Sequence, residues 1–157
     1  LVIAAWGGAN LLYSGIAAGS AGGSNQYFYR MNLIWGSVNF SLGTLGFLLT
    51  KNNTDNGYAQ TLNKQQAIEK IYLFNTGLDV AYVVGGFYFN ERANTFPQKY
   101  DRLKGYGKSF IMQGSALFVY DGIMYCIHHA HGKKIERYTD RLQVGLALNG
   151  LNCVVKF

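Results

Sequence analysis

The feature that most constrains the fold of this chain is a set of five apolar segments that carry almost no charge. They comprise residues 1–19, 32–49, 71–89, 109–127 and 142–157. The only charged residues within them are Asp79, Asp121 and Lys156. A helix needs about 20 apolar residues to cross a hydrocarbon core about 30 Å thick, whereas a helix on the surface of a soluble protein shows a polar face. The segments therefore predict a multi-pass integral membrane protein.

The predicted fold is all-α, with one transmembrane domain at 1–157 built as a membrane-embedded bundle of about five helices. The helices are expected at about residues 1–19, 32–49, 65–90, 103–130 and 142–157. The polar segments between the apolar ones, among them 20–30 and 131–141, are expected to be connectors. The last apolar segment has 16 residues, which is short for a crossing, and its end also fits a strand.

Composition supports the membrane prediction. The chain is 49% hydrophobic and 14% charged, against about 25% charged residues in an ordinary soluble domain. Its formal net charge is +6, but Lys and Arg lie between the apolar segments instead of forming one basic face. We therefore expect the lipid bilayer as a partner and no nucleic acid. With five crossings, seven Lys and Arg residues lie on each side, so the positive-inside rule gives no orientation.

The first apolar segment resembles the apolar part of a secretory signal, but two features favour a retained helix. No basic region precedes it, and it contains Trp6 and Asn10, which a cleaved leader does not need. We interpret it as the first helix of the bundle and expect further residues upstream of Leu1.

Glycine is abundant, with 20 residues against a single proline, and glycine is common where membrane helices pack closely. Gly15-Ile-Ala-Ala-Gly19 has the GxxxG spacing and predicts close helix contact, within the chain or between protomers. Gly105-Tyr-Gly107-Lys108 is interpreted as a flexible basic connector at the start of a helix.

Amide and carboxylate side chains recur near the middle of the first four apolar segments. Trp6-Gly-Gly-Ala-Asn10 in the first segment repeats as Trp35-Gly-Ser-Val-Asn39 in the second, and Trp and Asn four residues apart share a helix face. Lipid cannot satisfy such polar groups, so we expect them to form one intramembrane polar network. Its predicted members are Asn10, Asn32, Asn39, Asn75, Asp79, Gln113 and Asp121.

Two interpretations of this network stay open at the level of sequence. In the first, it only joins the helices by hydrogen bonds. In the second, Asp79 and Asp121 meet, and because both cannot be charged in a low dielectric without a cation, they share a proton, hold an ion or face a basic substrate. Sequence reasoning favours the first interpretation.

His128 lies seven residues after Asp121 and on nearly the same helix face, which suggests an interfacial proton relay of these two side chains. The other two histidines, His129 and His131, are close by. Because no histidine occurs elsewhere in the chain, the sequence predicts no metal site. It also shows no nucleophile and base pair that would predict a catalytic residue, and it does not identify a cofactor.

Several motifs together carry a resemblance to a family. They are Trp6-x-x-x-Asn10, Met31-Asn32-x-x-Trp35-x-x-x-Asn39, Asn75-x-Gly-Leu-Asp79-x-x-Tyr82, Lys104-Gly-Tyr-Gly-Lys108 and Gln113-Gly-x-x-x-x-x-x-Asp121. As a set, they resemble an uncharacterised family of small bacterial polytopic membrane proteins with four to five helices. The resemblance covers the chain from about Trp6 to about His129. It implies a multi-pass protein of the bacterial inner membrane and transfers no activity.

Three classes of function remain compatible with the sequence. The favoured one is a non-enzymatic scaffold or accessory subunit of a larger membrane assembly, with other subunits or a second copy of the chain as partners. The second is a small transporter or a proton- or cation-conducting protein that uses Asp79 and Asp121. The third is a membrane enzyme that acts on lipid. Its only support in the sequence is the placement of Asp121 and His128 on one face of the same helix.

Overall fold

The computed structural model describes the backbone of residues 1–51, 58–147 and 150–155, and the side chains of residues 1–49 and 63–134. Its helices are α1 (Val2–Ser20), α2 (Gly23–Lys51), α3 (Tyr58–Thr95) and α4 (Tyr100–Arg141), with a 3-10 turn at Pro97–Lys99. Two short strands follow, β1 (Leu142–Ala147) and β2 (Gly150–Val155). The first four predicted helices are thus present, and α2, α3 and α4 are longer than the sequence indicated.

Helix α2 begins well before its predicted start, because most of the expected connector at 20–30 is helical. Only Ala21 and Gly22 separate α1 from α2, and Gly23 has a φ of +56°. Glycine adopts this left-handed conformation without a steric penalty, which lets the chain reverse in two residues. The hydropathy pattern does not predict this helix start. It marks apolar segments, whereas polar residues can also form part of a helix.

Helices α3 and α4 are longer than a membrane is thick. They contain 38 and 42 residues, which correspond to about 57 and 63 Å at a rise of 1.5 Å per residue. Helix α3 ends at Thr95, two residues before Pro97, whose ring disfavours a helical conformation in the residue before it. The predicted connector at 131–141 belongs to α4 instead.

The fifth predicted helix, at 142–157, is wrong over the part of this segment that the structure describes. Strands β1 and β2 pair in an antiparallel hairpin, with Leu142 opposite Val155 and Ala147 opposite Gly150. The segment is short for a crossing, two glycines within it disfavour a helix, and its valines suit a strand. The strand interpretation of its ending is therefore the correct one.

The helices pack in the order α1, α2, α4, α3. Within the described ranges the main helix contacts join α1 to α2, α2 to α4, and α3 to α4. Because α2 and α3 both pack on α4 and have little contact with each other, a groove lies between them.

Glycines lie where the backbones of α1 and α2 come closest. A Cβ atom added at Gly43 would lie 2.9 Å from the Cα of Ala4, and one at Gly36 would lie 2.9 Å from the carbonyl oxygen of Gly7. Gly7 and Gly36 are the glycines that follow Trp6 and Trp35 in the two matching sequence repeats. The repeated motif is therefore a helix contact.

The GxxxG motif at Gly15 and Gly19 makes no such contact within the part of the chain that the structure describes. A Cβ atom at Gly19 would meet nothing within 4 Å, and one at Gly15 would only touch the side chain of Leu33 at 3.8 Å. Contact between protomers through this face stays a prediction.

The Lys104-Gly-Tyr-Gly-Lys108 motif is helical, which corrects the expectation of a flexible connector. A Cβ atom at Gly105 would lie 2.6 Å from the Cβ of Tyr27 on α2, and one at Gly107 would lie 2.7 Å from the carbonyl oxygen of Gly86 on α3. The two glycines therefore let α4 approach α2 on one side and α3 on the other.

The distribution of polarity is the reverse of that in a soluble protein. Ala93 and Leu117 are the only buried hydrophobic residues among those described, whereas nine polar or charged residues are buried. Large apolar side chains on all four helices are exposed.

Three helical segments are long and apolar enough to cross a membrane: Val2–Ser20, Gly23–Leu49 and Pro97–Lys134. Helix α3 is not among them, because its apolar window contains Asn75 and Asp79. Length and polarity together suggest association with a membrane.

We predict that Gly107→Leu destabilises the fold, because the new side chain must displace the backbone of α3. Overpacking of this kind costs about 1–3 kcal/mol in the free energy of unfolding. Gly77→Leu on α3 is the matched control, since a Cβ atom there would meet nothing within 4 Å. Unfolding in detergent, followed by circular dichroism, measures both variants. Equal stability of the two would show that the contact between Gly86 and Gly107 is not tight.

Candidate functional site

The side chain of Gln113 on α4 lies at the centre of the buried polar residues and binds both α1 and α2. Trp6 Nε1 donates a hydrogen bond to Gln113 Oε1 at 2.9 Å. Gln113 Nε2 donates to Asn10 Oδ1 at 2.7 Å and to Asn32 Oδ1 at 3.0 Å. Both amide donors and the carbonyl oxygen of Gln113 are thus used within the protein.

Two further hydrogen bonds complete this cluster. Ser109 Oγ donates to Asn32 Oδ1 at 2.6 Å, and Asn10 Nδ2 donates to the carbonyl oxygen of Trp6 at 2.8 Å. Ser109 was missed in the sequence, although it lies four residues before Gln113 on the same helix face. We call Trp6, Asn10, Asn32, Ser109 and Gln113 the amide cluster. Its geometry suits a structural role, since the helices hold one another through it.

Asp79 on α3 and Asp121 on α4 are brought together by the structure. Their exposed fractions are 2% and 7%, and their side chains lie close to each other in the lining of one groove. The sequence alone did not show whether these two side chains meet. In the structure they do.

The two carboxyl groups lie in the groove between α2 and α3, which has a volume of about 670 Å³. We call it the acidic groove. Its polar lining consists of Asn39, Asn75, Asp79 and Asp121, and its aromatic lining of Trp35, Tyr72, Tyr82 and Tyr120. The predicted polar network is thus divided in two, with Asn10, Asn32 and Gln113 in the amide cluster and the other four members in this groove.

Three polar atoms of the acidic groove have no hydrogen-bond partner among the described residues. They are Asp79 Oδ2, Asn39 Nδ2 and Trp35 Nε1. A buried polar atom without a partner costs about 1–3 kcal/mol. This set of one acceptor and two donors contrasts with the fully bonded Gln113 and favours a ligand-binding role for the groove.

An aromatic cluster closes one end of the acidic groove. The ring of Trp35 packs edge to face on Tyr82 and Phe110, with centroid distances of 4.9 and 5.6 Å. Phe110 in turn contacts Phe89 at 5.5 Å. From this closed end the groove runs along α2 toward Phe47.

His128 does not contact Asp121 in the structure. Its ring stacks on Tyr72 at 5.4 Å, and its Nδ1 lies 3.2 Å from Gln65 Nε2. Tyr72 and Tyr120 also lie near each other, with ring centroids 6.4 Å apart. A path between Asp121 and His128 would therefore run through these two tyrosines, which the sequence did not indicate.

A second polar pair lies beside His128, where His129 Nδ1 is 3.2 Å from Glu69 Oε2. The ring of His129 stacks on Tyr125 at 5.5 Å. Sequence reasoning missed Glu69 and Gln65, although their four-residue spacing places them on one face of α3. His131 is exposed. Within residues 1–49 and 63–134, no three His, Cys, Asp or Glu side chains are grouped to hold a metal ion.

We predict that Gln113→Leu lowers the free energy of unfolding by about 1–3 kcal/mol, since it leaves the polar atoms of Trp6, Asn10 and Asn32 without their partner. Thr76→Val is the matched control, because the hydroxyl of Thr76 bonds only to the carbonyl oxygen of Tyr72 within its own helix. Unfolding in detergent compares the two variants. If both unfold like the wild type, the amide cluster does not hold the helices together.

Comparison with known proteins gives a family and no activity. No curated protein and no solved structure matches the chain. A family model described as a family of unknown function, DUF6992, matches residues 2–122. The match contains the whole amide cluster and both carboxyl groups of the acidic groove, and it ends before His128. It agrees with the expectation of an uncharacterised family, and the chain belongs to the family of unknown function DUF6992.

Proposed function

We propose that this protein is a multi-pass membrane protein that binds a cation between Asp79 and Asp121 and transfers it as a small transporter or conducting protein. The observation that carries this proposal is the meeting of the two carboxyl groups in the acidic groove. Sequence reasoning favoured a scaffold, and the groove is the reason to prefer transport. The family resemblance supports the bacterial inner membrane as its location.

The placement of polar and apolar groups supports a membrane environment. Helices α1, α2 and α4 contain segments apolar enough to cross a bilayer, and only 17–22% of each such segment is buried inside the protein. Apolar side chains exposed to this extent would aggregate in water, whereas lipid solvates them. The acidic groove would then lie near the middle of the bilayer, because both aspartates are central in their apolar segments.

The charges in the groove support a cation as its occupant. Among residues 1–49 and 63–134, neither Lys nor Arg lines it, so no positive side chain of these ranges lies beside the two carboxyl groups. Two carboxylates in a low dielectric repel each other unless a proton or another cation neutralises one charge. Ionisable residues within membrane segments commonly mark proton and ion pathways.

A scaffold or accessory subunit remains the second candidate, and one observation favours it. Helices α3 and α4 are roughly twice as long as a bilayer core is thick, so they would extend into water where another subunit or a second copy could bind. The amide cluster also needs no chemistry to explain it. A scaffold would require neither carboxyl group to release a proton.

We predict that Asp79→Asn and Asp121→Asn each abolish cation flux while the fold persists, because asparagine keeps the shape and hydrogen bonding of aspartate without its charge or its proton. Flux of H⁺, Na⁺ or K⁺ is measured in proteoliposomes with ion-sensitive dyes. Asp101→Asn is the control, since Asp101 is exposed at the start of α4.

Two results would contradict the transport proposal. One is the absence of flux in the wild-type protein for all three ions. The other is unchanged flux in both Asp79→Asn and Asp121→Asn. Either result would leave the scaffold as the better assignment.

A further inference from the structure

We propose that the acidic groove binds a lipophilic organic amine, with its ammonium group between Asp79 and Asp121 and its apolar body along α2 and α3. This assignment rests on the proposed function of the groove and adds the chemical class of its occupant. Size, the pattern of unpaired polar atoms and the apolar walls each support it.

The groove is far larger than a proton or an inorganic ion requires. Its volume of about 670 Å³ lies within the range of about 300–1,000 Å³ that is typical of small-molecule sites. Along α2 its lining extends from Trp35 to Phe47, a distance of about 18 Å at 1.5 Å per residue. A flexible or elongated molecule fits these dimensions.

The unpaired atoms are buried atoms of residues that line the groove, and their chemical types suggest the head of the ligand. Asp79 Oδ2 needs a donor, whereas Asn39 Nδ2 and Trp35 Nε1 each need an acceptor. A protonated amine with an oxygen atom close to its nitrogen supplies both, as in an amino alcohol. Asp79 and Asn39 are each more than nine-tenths buried, so the charge-assisted hydrogen bonds would form away from water.

Aromatic rings add a second source of affinity for an organic cation. Trp35, Tyr72, Tyr82 and Tyr120 all line the groove, and aromatic faces attract ammonium groups by a cation–π interaction. Aromatic lining together with two carboxyl groups is therefore the chemistry that recognises an amine.

The remaining walls of the groove suit an apolar body. They are formed by Val38, Leu42, Phe47, Ile68, Ile71 and Leu78. Because α2 and α3 have little contact with each other, the groove opens sideways between them, toward the bilayer in the proposed orientation. A lipophilic amine that partitions into the membrane would reach the carboxyl groups through this side.

The fluorescence of Trp35 reports on binding. The chain contains two tryptophans, and Trp6→Phe leaves Trp35, in the groove, as the only one. We would titrate this variant in nanodiscs with 1-aminododecan-2-ol, which has both the amino alcohol head and the apolar body of the proposed ligand. Dodecan-2-ol lacks the amine and 1-aminopropan-2-ol lacks the body. We expect a saturable change with the first compound and none with the other two.

The double variant Asp79→Asn and Asp121→Asn, built on Trp6→Phe, tests where the amine binds. We expect its affinity to fall at least about tenfold, since charge-assisted hydrogen bonds are lost. Asp101→Asn should leave the affinity unchanged. If Trp6→Phe does not fold, the wild-type fluorescence is titrated instead, with the double Asn variant in the wild-type background as its control. Equal affinity for 1-aminododecan-2-ol and dodecan-2-ol, or equal affinity in the double Asn variant, would overturn the proposal.

The two proposals fail in different ways. Ion flux that requires both aspartates, without saturable binding of the amine, would leave the cation-transport proposal standing and refute the organic ligand. Saturable, aspartate-dependent binding of the amine without flux of H⁺, Na⁺ or K⁺ would support the ligand and refute conduction of those ions.

Discussion

The buried side chain of Gln113 is the interaction on which the helix arrangement depends. It is fully buried, and it connects α4 to α1 through Trp6 and Asn10 and to α2 through Asn32. In a surrounding without water, none of these groups has an alternative partner, so separating the helices would leave several polar atoms unpaired. With only two buried hydrophobic residues among those described, apolar burial cannot replace this role.

The residue after this glutamine connects the amide cluster to the acidic groove. A Cβ atom at Gly114 would lie 2.9 Å from the carbonyl oxygen of Asp79 and 3.0 Å from the Cβ of Tyr82. Glycine at this position therefore lets α4 lie directly against α3, two turns before Asp121. The side-chain amide of Gln113 thus binds α1 and α2. The backbone of Gly114, which has no side chain, contacts α3. This placement brings the carboxyl groups of α3 and α4 together.

The sequence predicted the polar interior well, because one rule governed it. Polar side chains in apolar helices must find polar partners, and this rule selected Asn10, Asn32 and Gln113, which bind one another. The rule could not predict which members would meet, since that depends on the order in which the helices pack. The structure therefore contains two polar clusters where the sequence predicted a single network. Helix ends and the hairpin after Arg141 were also missed, because hydropathy reports the environment of a segment and not its backbone conformation.

The two polar clusters differ in their hydrogen bonding, which indicates a structural role for the amide cluster and a binding role for the acidic groove. In the amide cluster, every donor and acceptor of Gln113 is bonded within the protein, so a ligand could bind there only by breaking helix contacts. In the acidic groove, Asp79, Asn39 and Trp35 are held in place by helix packing, while one polar atom of each has no partner among the residues that the structure describes. A protein selected only for stability would gain by pairing or removing these atoms. Their retention beside a cavity lined by aromatic rings is better explained by binding than by packing.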